Sequence, residues 1–199
     1  MEFREVIRHR RMVHRFAPTS VAPEVVDRIL DVGRRGPSAG FAQGVEFLVL
    51  DTPGTVGAFW ELTEDPAFPT EPGELDDAPP VLILPIPDRA RYLARYSEPD
   101  KAPFGLQEAE AWPVPFWDTD AAMAAMLLLL AAVDEGLGGW FFGIAYGQDA
   151  VCRRFGVPEG MRPIGVVGLG TAIADETPTG SGTSRPRRPL ADLVHRNTW

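Results

Sequence analysis

Apolar positions recur at helical spacing in APEVVDRILDVGRR, where Val25, Val26, Ile29, Leu30 and Val32 share one face and Pro23 suits a first turn. This predicts a helix near 23–35. The spacing then changes. VEFLVL, near 45–50, is a short, mostly apolar run with valine and phenylalanine, as a strand would be. Further on, residues 121–133, AAMAAMLLLLAAV, are apolar at all 13 positions. That run falls short of the roughly 20 residues a membrane span requires. Asp118 or Thr119 suits the cap of a helix there, Asp120 its first turn, and the glycines of DEGLGG its end. A helix apolar on every face has to be buried on every face. In so small a chain this predicts a central helix covered partly by a second subunit.

The remaining elements follow from the same patterning. MEFREVIRHRR predicts an amphipathic helix near 2–9, and a helical segment is expected near 53–63. PVLILPIP and RPIGVVGLGTAI read as strands, with a short helix near 148–155 between them. Residues 87–117 begin like a helix and then mix prolines with Phe104, Trp112, Phe116 and Trp117. So long an excursion inside a compact domain is usually functional, and its aromatics argue against disorder, so it is a candidate substrate lid. Residues 174–199 read as a polar, extended arm of the kind that embraces a partner chain. The 199 residues form one domain, which on folding would bury roughly 70% of its unfolded surface.

Composition narrows the partners. An apolar fraction of 45% and a charged fraction of 24% are those of an ordinary globular protein. A net charge of −9 and a pI near 4.8 argue against nucleic acid and against anionic membranes, since both need clustered cations. Small molecules are the expected partners. Cys152 is the only cysteine, which excludes an intramolecular disulfide and suits a reducing compartment. The N-terminus lacks the apolar core of a signal peptide, so a cytoplasmic location is expected.

Gly36-Pro37-Ser38-Ala39-Gly40 has the G-x-S-x-G spacing of a hydrolase nucleophile elbow, and Asp192 and His195 follow in triad order. The elbow needs a strand before the serine and a helix after it. Here the order is reversed, which reduces the motif to a connection between a helix and a strand. Gly168-x-Gly170 follows a strand like a dinucleotide fingerprint, but Ile173 replaces the third glycine. Close packing of a central strand accounts for these glycines better. His9, His14 and His195 show no metal-binding spacing, so no metal is expected. Cys152 reads as a packed small residue. Arg8, Arg10, Arg11 and Arg15 near the start, and Arg185, Arg187 and Arg188 near the end, would make a phosphate site if they converge. Solvated surface charge explains them equally well.

Together these pieces resemble the FMN-dependent nitroreductase family over most of the chain. RHRRMVHRF is similar to the family's opening R-R-S-x-R-x-F, and DRILDVGRRGPSAGFAQGVEFLVL to its helix, P-S-x-x-N-x-Q loop and first strand. AAVDEGLGGWFFGI, FGVPEGMRPIGVVGLGTA and RPRRPLADLVHRNTW resemble its central helix and glycine segment, its late strand and its basic tail. The resemblance implies an α+β fold, with a central mixed or antiparallel sheet flanked by helices, in an intertwined homodimer holding two FMN molecules at the interface. By position Arg10 and Arg11, with Arg185 and Arg187, would hold phosphate and ribitol. Pro37, Ser38 and Ala39, followed by Phe41 and Gln43, would form a loop contacting flavin from the other subunit. Phe142 and Gly143 would set backbone N–H near flavin N5. His14 falls where the family has a basic residue, and the lid aromatics would flank the ring. The implied reaction is ping-pong transfer of hydride from NAD(P)H through N5 to a small organic acceptor, with no catalytic acid–base pair from the protein.

Departures accompany the likeness. Met12 replaces the serine of R-R-S and Phe41 the asparagine of the loop, so two hydrogen-bonding side chains are missing. No lysine or arginine occurs from Asp51 to Asp88, where the family places a lysine near the flavin pyrimidine. Negative charge on the reduced ring would be less stabilised. Three alternatives remain: the same fold run as a desaturase in specialised metabolism, a deazaflavin-using reductase, and a flavin-binding protein without catalysis.

Overall fold

The computed structural model describes residues 1–68, 73, 75–173 and 184–199. Helices α1 (Phe3–His9) and α2 (Pro23–Gly33) precede strand β1 (Val45–Leu50) and helix α3 (Pro53–Thr63). Strand β2 (Val81–Pro87) leads into α4 (Arg89–Tyr96), α5 (Phe116–Asp134), β3 (Gly138–Phe142), α6 (Gln148–Arg154) and β4 (Val166–Gly170). Among the described residues the strands form one antiparallel sheet in the order β1-β2-β4-β3, flanked by helices as expected.

The patterning explains the layers. β2 is buried at every position, with Val81 and Ile83 meeting α2 and α5 on one face and Leu82, Leu84 and Ile86 meeting α3 and α6 on the other. A strand covered on both faces needs the continuous apolar run seen in the sequence. Pro85 and Pro87 fit because β2 pairs with β4 only at Val81–Ile83, so the N–H groups they lack fall beyond that ladder. In β4, a Cβ on Gly168 or Gly170 would come within 2.7 or 2.6 Å of Pro79 or Pro80. These glycines serve close packing, and no nucleotide fingerprint is formed.

One expectation for α5 needs correction. It starts at Phe116 with Pro115 at the cap position, because the proline's fixed φ ends the preceding extended chain there. Asp118 therefore lies in the first turn, and Asp120, taken as a first-turn charge, turns inward and is 2% exposed. At 19 residues the helix is long and apolar enough to cross a membrane by length and composition, yet it packs against α2 and the sheet as a core helix. Within the single chain it is not covered on every face. Ala122 and Met126 are exposed, and Leu127 and Leu130 only half-buried.

Candidate functional site

The N-terminal run lies along β3. Val13 N–H donates to the Gly139 carbonyl at 3.1 Å, Met12 forms a parallel bridge with Gly139, and Met12 Sδ accepts from Phe141 N–H at 3.5 Å. Val13 is buried because Gly138 has no side chain, and a Cβ there would lie 2.9 Å from it. Alternation along an extended chain then turns Met12 and His14 outward. The parallel register sets Arg10 and Arg11 toward the start of β3 and His14 toward its end, where its ring meets Trp140 edge-on at 5.3 Å.

From the neighbouring helix α3, Trp60 stacks on Phe142 with centroids 5.5 Å apart and planes at 13°. Trp60 borders a cavity of about 430 Å³ also lined by His14, Trp140, Phe68, Asp65 and Asp77. Asp77 is held by Arg15 at 2.6 Å. The Trp60 indole N–H is buried with no hydrogen-bond acceptor among the described residues. Gly143 follows, exposed, with open space where a Cβ would stand.

A second constellation forms around the loop between α2 and β1. Ser38 is extended, and Gly40, Phe41 and Gln43 take φ values of 60°, 56° and 51°. Left-handed backbone at Phe41 and Gln43 is uncommon and has to be held by its surroundings. Gln43 N–H donates to Ser38 Oγ at 2.8 Å, and Arg95 Nε donates to the Gly40 carbonyl at 2.9 Å. Arg95 is itself fixed by both oxygens of Asp100, each at 2.7 Å. Asp120 Oδ2 accepts from Ala39 N–H at 2.8 Å and from Tyr92 O–H at 2.9 Å. Burial, with the Asp120 carboxylate beside it, pushes the Tyr92 phenol well above its ordinary range. A cavity of about 450 Å³ opens here, lined by Arg34, Arg35, Pro37, Ser38, Phe41 and Gln43.

This geometry removes the hydrolase elbow, since Ser38 follows a helix, precedes a strand and uses its oxygen to hold Gln43. His195 instead stacks on Trp199 at 4.3 Å in the exposed arm. The half-buried Cys152 thiol is pushed up by burial, which makes it a poor nucleophile.

Of the residues singled out in the sequence, Arg10, Arg11, Met12 and His14 are brought beside the strand bearing Phe142 and Gly143, whereas Pro37 to Gln43 form a separate group. β1 and β3 are opposite edges of the described sheet, three strand spacings or about 14 Å apart. Arg185 and Arg187 lie on the exposed arm. The proposed lid aromatics line neither cavity. Trp112 is 8% exposed, packs on Tyr96 at 4.7 Å and Trp117 at 5.6 Å, and donates its indole N–H to the Leu106 carbonyl. Phe116 lies 6.0 Å from Trp112, and Phe104 remains 65% exposed against Tyr96. The excursion therefore backs the 37–43 loop.

A sequence profile described as the nitroreductase family matches residues 7–171. The chain belongs to the nitroreductase family. A protein of Methanothermobacter thermautotrophicus, provisionally named NADH dehydrogenase/NAD(P)H nitroreductase, is 28% identical over 203 residues, covering 100% of this chain and 88% of its own. The crystal structure of a nitroreductase family protein from Clostridium difficile aligns at a TM-score of 0.71 with 21% identity, covering 100% of both chains. Nitroreductase A of Vibrio parahaemolyticus aligns at 0.72 with 20% identity, covering 99% of this chain and 76% of its own. The fold of this nitroreductase-family chain is thereby fixed, and an oxidoreductase of flavin type is supported in general terms. Asp120 and Tyr92 were missed in the sequence. The only signal for Asp120 is a carboxylate directly ahead of an apolar run, which reads as helix capping.

Proposed function

We propose that this chain is an FMN-dependent oxidoreductase working as an intertwined homodimer, moving hydride from NAD(P)H to a small organic acceptor of the nitro, quinone or enone type. The observation that carries the reading is the division of the expected flavin contacts into two groups at opposite sheet edges, which suits a cofactor held between two copies. The groups present also fit FMN chemically. Arg10, Arg11, Arg185 and Arg187 offer guanidinium forks for a phosphate. The orphaned Trp60 N–H, beside His14, offers a donor to a ring carbonyl. Exposed Gly143, with no side chain and open space where a Cβ would stand, leaves room for a planar group to approach its backbone.

When bound, FMN supplies hydride acceptance and release at N5. The protein's part is positioning and exclusion of water. Trp60 and Trp140, with Phe142 packed against both, make an apolar wall, and the arginines neutralise the phosphate. For a second copy there is an apolar groove of about 690 Å³ between α1, α2 and α5, with Phe3, Val32, Leu127 and Leu130 along it. The arm adds exposed Leu190, Leu193 and Val194.

The expected result on purification is a yellow protein that releases one FMN per chain on heating and whose visible band bleaches anaerobically with NADH or NADPH. A colourless protein that takes up no FMN would overturn the reading. Desaturation or a deazaflavin donor is favoured by one feature: carboxylates of Asp65 and Asp77, and no cation from residues 51–88, border the His14 cavity. FMN that bleaches with neither nicotinamide would select that second reading.

A further inference from the structure

The cavity beside His14 is built from two kinds of surface. Trp60 and Trp140 both line it, with centroids 6.4 Å apart and planes at 19°, and Phe68 adds a third ring. The charged lining is acidic: Glu64, Asp65 and Asp77 are there, and no lysine or arginine is among the described lining residues. From residue 51 to residue 88 the sequence holds no lysine, arginine or histidine, so the segment that closes this side of the cavity brings acids alone. Arg15 offsets Asp77 at 2.6 Å. Asp65 is held differently, since its Oδ1 accepts from Ala67 N–H at 2.9 Å, a neutral partner that fixes the carboxylate and leaves its charge in place. Trp60 also carries the buried indole N–H that has no acceptor among the described residues, a donor that a bound molecule would complete. Aromatic rings attract a cation through their quadrupole and a carboxylate attracts it by Coulomb's law, and both repel an anion.

We propose that the acceptor reduced at this site carries a cationic nitrogen, bound between the Trp60, Trp140 and Phe68 rings and the Asp65 carboxylate. The inference rests on the FMN reading above, which brings the flavin ring to the same cavity, and it narrows the nitro, quinone or enone class to its positively charged members. The charge takes no part in the chemistry. It holds the acceptor in place while the neutral reducible group receives the electrons. The same lining turns away acceptors that carry a carboxylate or a phosphate.

Three probes that share one reducible group test this: para-nitrobenzyltrimethylammonium, para-nitrobenzyl alcohol and para-nitrobenzoate. Binding is read by calorimetry on the oxidised, FMN-loaded protein with no donor present, at about pH 8, where an ordinary imidazole is neutral. The cation is expected to bind about tenfold more tightly than the alcohol, and the benzoate more weakly than either. Turnover should repeat the order in KM and leave kcat similar; there the nitro group takes one hydride, supplied by the nicotinamide that bleaches the flavin, and one proton, and becomes nitroso with release of water. Asp65→Asn keeps an oxygen for the Ala67 N–H and removes the charge, so the ratio of cation to alcohol affinity should fall about fivefold. Asp77→Asn, which releases the Arg15 guanidinium, should lower the ratio as well, and it serves if Asp65→Asn does not fold. Glu61→Gln removes an exposed carboxylate of α3 outside the described lining and should leave the ratio at its parent value. A ratio near one in the unaltered protein, or an intact ratio in Asp65→Asn, overturns the inference. So does an equal fall in Glu61→Gln, which would trace the preference to the net charge of −9. In those cases the FMN reading survives. A protein that takes up no FMN fails the reading itself, and the inference falls with it.

Discussion

Met126→Glu is expected to yield a folded, colourless monomer. Met126 is 40% exposed in the single chain, so a glutamate there stays in water and the monomer should melt close to the parent apoprotein. It also lies on the open side of α5, with exposed Ala122 one turn before it and the half-buried Leu130 of the apolar groove one turn after. Burying a lone carboxylate in an apolar interface costs several kcal/mol, enough to dissociate a dimer of ordinary affinity. In the homodimer proposed above, loss of flavin would follow, because there the arginine and His14 group and the Ser38 loop come from different copies. Light scattering after gel filtration, together with the visible spectrum, decides the matter. A dimeric variant would remove α5 from the interface, and a monomer that still held FMN would show that one chain completes the site.

Gly147→Ala is expected to lower stability by at least about 3 kcal/mol, or roughly 6–12 °C in Tm for a chain of this size. Gly147 has a φ of 73°, where an L side chain costs about 1–2 kcal/mol by itself. A Cβ there would also stand 1.8 Å from the Leu62 carbonyl oxygen, which is backbone and cannot rotate aside. Relief requires α3 and the start of α6 to separate. Since α3 carries Trp60, whose ring stacks on Phe142, the wall of the His14 cavity would shift with them. Gly57→Ala in the same helix meets open space and should leave the melting temperature unchanged or raise it slightly. Thermal unfolding of both variants by circular dichroism provides the comparison. Equal melting temperatures would show that α3 and α6 do not approach as described.

The elements were readable in the sequence because their signals are local. The 3.6-residue spacing from Val25 to Val32 gave α2, the short, mostly apolar run of β1 gave a strand, and so did the unbroken apolar run of β2, which the structure covers on both faces. The loop of Pro37, Ser38 and Gln43 was recognisable as a constellation because its residues are neighbours in the chain. Asp120 was misread for the converse reason. Helix capping and inward burial both place an acid ahead of an apolar run, and only the packing of α5 against Tyr92 and the Ala39 backbone turns residue 120 inward. Tyr92 gave no signal at all, since neither tyrosine of RARYLARY has a partner until α4 is laid against the 38–43 turn. The aromatic-rich excursion was ambiguous in the same way. It fits a gate or a buttress equally, and within the single chain Trp112 packs on Tyr92 and Tyr96 behind the 37–43 loop.

By itself, then, the sequence determined the kinds and order of the elements, the apolar character of the central helix, and the residues resembling a flavin site. These depend on short-range periodicity and on the chemistry of individual side chains. The tertiary structure alone decided that those site residues fall at opposite edges of one sheet, that Asp120 faces inward onto Tyr92 and Ala39, and that one stripe of α5 is left open. Each of these depends on which strands pair and on which face of a helix meets the core, and the chain settles that only when distant segments compete for the same buried surface.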